Sequence, residues 1–103
     1  MKKTFQLKPE GKNPERVLEG IKHEIRKYVK RQRRVPLPIG VDFWDFDCRF
    51  GMSEAIATDV HFATITALID AVVKEGGDAF YIEILAKGGH RRTRAQEQQS
   101  EVS

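Results

Sequence analysis

The chain has 103 residues, 40% of them hydrophobic and 32% charged, with a formal net charge of +3 at neutral pH. That length supports one modest core and no second domain of ordinary size. No apolar run approaches the roughly 20 residues of a membrane span, the first residues lack a signal-peptide core, and the lone Cys48 excludes an internal disulfide and a cysteine-rich zinc site.

Lys2 to Leu7 alternates, with Phe5 and Leu7 on one side, and predicts a short strand. Lys8 to Lys12 is a turn holding Pro9 and Gly11. Asn13-Pro14-Glu15 is a helix start: a capping side chain, a proline suited to the first position and an acid that complements the dipole. Val17, Leu18, Ile21, Ile25, Tyr28 and Val29 then recur at helical spacing, so the helix runs to about Arg33. Pro36 and Pro38 forbid its continuation.

Val41 to Gly51 is the clearest strand. Trp44, Phe46, Cys48 and Phe50 share one face; Phe43, Asp45, Asp47 and Arg49 share the other. Thr58 or Asp59 is expected to cap a second helix, whose stripe is Ile65, Leu68, Ile69, Val72 and Val73 and whose stop is Gly76-Gly77. Ala79 to Ala86 is the last strand, with Phe80, Ile82 and Ile84 inward and Tyr81 and Glu83 outward.

These elements give an α+β chain in the order β-α-β-α-β. The expected architecture is a two-layer sandwich, with two helices on one face of a small three-stranded sheet. Right-handed crossovers favour the order 1-2-3 if the strands are parallel, and a mixed sheet is the alternative. Residues 1–87 form the single domain, and the polar segment 88–103 is expected to be a disordered tail.

Three strings have a familiar look. Met1-Lys2-Lys3-Thr4-Phe5, Ile21-Lys22-His23-Glu24-Ile25-Arg26-Lys27-Tyr28 and Trp44-Asp45-Phe46-Asp47-Cys48-Arg49-Phe50-Gly51 resemble a family of small bacterial proteins known only as a domain of unknown function. Phe80 to Ala86 shares the likeness, which covers roughly residues 1–92. It implies a bacterial, cytoplasmic protein and brings no activity, cofactor or catalytic residue with it.

Charge is unevenly spread. Residues 22–34 hold seven Lys/Arg against one Glu, and residues 42–59 hold five Asp/Glu against one Arg. The first cluster, Lys22, Arg26, Lys27, Lys30, Arg31, Arg33 and Arg34, suits an anionic polymer such as RNA, or a ribonucleoprotein, met through its phosphates. Cations are also ordinary at a helix C-terminus. Asp45, Asp47 and Glu83 are expected on one open sheet face, where they would serve a metal site or acid/base pair, or simply solvated ion pairs. Phe43 is expected outward beside Tyr81, a pair that would seed a homodimer or an adaptor contact. There is no glycine-rich phosphate loop, nucleophile elbow or zinc-protease motif. The sequence therefore favours a non-enzymatic binding module for an anionic partner, with no cofactor and no membrane partner. A small metal-binding protein, an enzyme or a homodimeric adaptor is the alternative.

Overall fold

The computed structural model describes residues 1–91. Their elements are β1 (Lys2–Gln6), α1 (Pro14–Arg33), β2 (Phe43–Gly51), β3 (Thr58–Val60), α2 (Ile65–Lys74) and β4 (Ala79–Gly89). Single 3-10 turns at Glu54–Ile56 and Phe62–Thr64 lead into β3 and α2.

The start of α1 follows its sequence signal: Asn13 Oδ1 accepts the Glu15 N–H at 2.9 Å and the Arg16 N–H at 3.4 Å. Ile21, Ile25 and Val29, each one turn apart, are its buried residues. Bonds from the Arg34 and Val35 N–H groups to Arg31 and Gln32 close the last turn, and Pro36 admits no further one.

The strands form one sheet in the order β1-β4-β2-β3, every neighbouring pair antiparallel. This corrects the expected three strands and the order 1-2-3. β4 lies between β1 and β2, so β1-α1-β2 and β3-α2-β4 are crossovers that each skip one strand. The fourth strand went unread because β3 has only three residues, too few to show alternation. Thr58 and Asp59, expected to cap α2, pair instead with Phe50 and Arg49. His61 caps the 3-10 turn that leads into α2, its Nδ1 accepting the Ala63 N–H at 3.1 Å, and Thr64, at the N-cap of α2 itself, makes no side-chain capping bond.

Alternation along β2 and β4 places the core. Phe46, Cys48, Phe50, Phe80, Ile82 and Ile84 are buried on one face, the last three of them completely. Ile65, Ile69 and Val72 of α2 and the α1 stripe join the same cluster, so both helices cover one face as expected. Val73, expected in the α2 stripe, is exposed. The Phe50 and Phe80 rings stack 5.1 Å apart, and Phe5 lies 5.5 Å from Phe80. Lys22 bridges the two helices through Asp70 at 2.8 Å.

The other sheet face is open along most of its length. At one end the segment after β2 folds back over it: the Arg49 guanidinium donates to the Ala57 carbonyl at 2.7 Å. Gly88 and Gly89, assigned to the tail from the sequence, complete β4, with Val41 lying against Gly88 and the Phe43 ring against Gly89. The rest of the expected tail, from residue 92, lies outside the described residues.

Candidate functional site

The basic half of α1 comes first in charge density. Arg26, Lys30 and Arg33 form one row along the helix, and Lys27, Arg31 and Arg34 form the next, spaced at four and three residues. All six residues are exposed; Arg26, Lys30 and the second row lie away from Ile21, Ile25 and Val29, while Arg33, one turn after Val29, borders the buried stripe. Among the described residues, none of Arg26, Lys27, Lys30, Arg31 and Arg34 forms a salt bridge. Arg33 sits with its guanidinium 5.6 Å from the Phe46 ring centroid. Lys22 stands apart from the cluster it was grouped with, because Asp70 neutralises it. Glu24, the acid closest in sequence, is held by Lys3 at 3.0 Å.

The same end of the molecule carries two further features. The Trp44 indole N–H donates to the Val35 carbonyl at 2.8 Å, which brings the end of α1 beside the start of β2. The last residues of β4 are there too: Asp42 Oδ2 accepts the Arg91 N–H at 2.7 Å, so the exposed His90 and Arg91 leave next to the same segment. The loop from Val35 to Gly40 projects between them with every residue exposed. Sequence reasoning passed over this loop, reading its prolines only as helix breakers. The signal was present: three aliphatic residues alternate with prolines directly after six cations.

The carboxylates of the open face do not converge. Asp45 Oδ1 accepts its neighbour Phe46 N–H at 2.8 Å. Asp47 pairs with Lys87 at 2.7 Å, and the hydrogen bond and negative charge of Asp47 raise the Lys87 pKa. Glu83 is buried, with Arg49 at 3.1 Å and the Tyr81 hydroxyl at 2.9 Å. Among the described residues no group of three His, Cys, Asp or Glu side chains is placed to hold a metal ion. Asp45, Asp47, Arg49, Glu83 and Lys87 line a 520 Å³ depression with Asp59, His61 and Leu85; the pairs Asp47–Lys87 and Arg49–Glu83 cross its strands, while Asp45 and Asp59 form no salt bridge among the described residues.

Tyr81 corrects a second expectation. It is buried, 4% exposed, beneath Glu54 at 3.2 Å and against Glu83. Nor does it lie beside Phe43. The register puts Phe43 opposite Gly89 and Tyr81 opposite Gly51, at the two ends of the β2–β4 ladder. A Phe43–Tyr81 patch for a homodimer therefore does not form on this face. Loss of hydration and the Glu83 hydrogen bond, with the charges of Glu54 and Glu83, push the Tyr81 hydroxyl up to about 12. Burial, then the charges of Asp47 and Asp45, pushes the Cys48 thiol up to about 11, so it is a protonated core group at neutral pH.

Compared with known proteins, residues 1–95 match the model of a family of unknown function, DUF6172. The chain belongs to that family. No curated protein and no solved structure matches it. Membership in DUF6172 assigns no activity, so function has to be argued from the surface itself. No helix among the described residues is long and apolar enough to cross a membrane.

Proposed function

We propose that the chain is a non-enzymatic binding module that docks the basic end of α1 onto a phosphate-bearing partner. The observation that carries this reading is the set of five exposed cations, Arg26, Lys27, Lys30, Arg31 and Arg34, with no salt-bridging acid among the described residues. Five acids elsewhere, Glu24, Asp47, Asp70, Asp78 and Glu83, each hold a lysine or arginine outside this cluster. A cation cluster of this density attracts polyanions over a Debye length, about 8–10 Å at physiological salt. His90 and Arg91 add to the same end.

RNA or a ribonucleoprotein is the polyanion expected from the sequence. Recognition would be of the phosphate backbone, since no aromatic residue stands on the exposed rows of α1 to stack a base. The test is electrophoretic mobility shift with mixed RNA across a salt series. Lys30→Glu with Arg31→Glu spares Arg33, which packs on Phe46. The pair should weaken binding at least tenfold and flatten the salt slope by about two. Unchanged affinity and slope would remove the basic end of α1 from the interaction.

A further inference from the structure

The loop after α1 narrows the class of partner, on the reading that the basic end is a docking surface. Val35, Leu37 and Ile39 are 43%, 43% and 105% exposed, three aliphatic side chains within five residues. The loop is built as well as exposed. Its base is fixed by the Trp44 indole on the Val35 carbonyl and by Val41 against Gly88. Its apex is a tight turn closed by the Val41 N–H on the Pro38 carbonyl at 3.1 Å. Gly40 has φ +85°, the value the third position of a type II turn requires, and Ile39 then falls at the second position, on the outermost corner. Pro36 and Pro38 limit the conformations open to the segment.

Single exposed aliphatics are ordinary; three on one held turn, with six cations in the preceding nine residues, are not. RNA meets the cations and leaves the aliphatic tip in water, because bases stack on aromatic rings and arginine planes. A lipid surface satisfies both: acidic headgroups meet the arginines and lysines, and the headgroup–acyl boundary receives Leu37 and Ile39. Such a contact lies on the membrane and needs no spanning helix, so the expectation of no membrane partner, drawn from span length, does not bear on it.

We propose that the 35–40 loop and the basic rows of α1 form a peripheral docking surface for an anionic lipid bilayer. The direct test is flotation of the full chain with vesicles of phosphatidylcholine alone and of phosphatidylcholine mixed with phosphatidylglycerol. The chain should float with the acidic vesicles only. Leu37→Asp with Ile39→Asp, both on a solvent-facing loop, should cut the bound fraction about tenfold. Lys30→Glu with Arg31→Glu should cut it at least as far. Emission from Trp44, the single tryptophan, is a second readout, since its indole holds the base of the loop. Flotation indifferent to the Leu37/Ile39 pair would overturn the role of the loop. Binding to RNA without flotation would overturn the lipid assignment and leave the docking of a polyanion standing. Binding to neither would overturn both.

Discussion

Cys48 sits 3% exposed between Phe46 and Phe50 on β2, facing the helices, and the charges of Asp45 and Asp47 on the other face of the strand add to its desolvation. It should resist alkylation at neutral pH in the folded chain and react fully once denatured; rapid alkylation of the native chain would contradict its placement. Tyr81 and Cys48 also predict one alkaline transition. Both groups are held above their ordinary values of 10.0 and 9.0, so the folded state favours their protonated forms. The stability they add is full below about pH 9 and is lost as pH rises through about 11 to 12. Denaturant midpoints measured from pH 8 upward should fall across that window. Tyr81→Phe should remove part of the fall, and a flat profile would contradict the Glu83–Tyr81 contact. The Arg49–Glu83–Tyr81 cluster was half legible in the sequence. The period of two put Arg49 and Glu83 on one face, but the cover given to Tyr81 by the segment around Glu54 is a long-range contact with no local signature.

Among the elements, those with strong periodicity were legible and the short one was not. The α1 boundaries, its Asn13 cap and the packed faces of β2 and β4 all follow from spacing, because burial of one face imposes that spacing. β3 was lost because three residues carry no period, and with it went the strand order, since order depends on which distant edges pair. The close return of the chain after β2 has a single-residue test. A side chain on Gly51 would place its Cβ 2.7 Å from the Ala57 Cα, a backbone atom that cannot rotate away. Gly51→Ala should therefore cost about 1–3 kcal/mol in urea denaturation, the usual penalty of overpacking. An unchanged midpoint would mean that the 52–57 segment does not lie over the end of the sheet. Of the candidate site, the cation cluster was plain in the sequence. The loop beside it was not, because whether an aliphatic side chain is exposed is settled by the tertiary structure.

At the scale of the whole molecule, exposed cations without a salt bridge among the described residues cluster at the end formed by α1, the 35–40 loop and the last residues of β4, and two ion pairs cross the open sheet face. The first surface is thereby available to an outside anion, and the second keeps its lysine and arginine engaged in the pairs Asp47–Lys87 and Arg49–Glu83. The most direct measurement is an amide NMR map of the full chain titrated with inorganic polyphosphate, which supplies the anion without bases or lipid. Shifts should gather between Arg26 and Gly40 and at His90 and Arg91, and should diminish as salt is raised. Shifts centred on Asp45, Asp47 and Lys87, or none at all, would contradict the account.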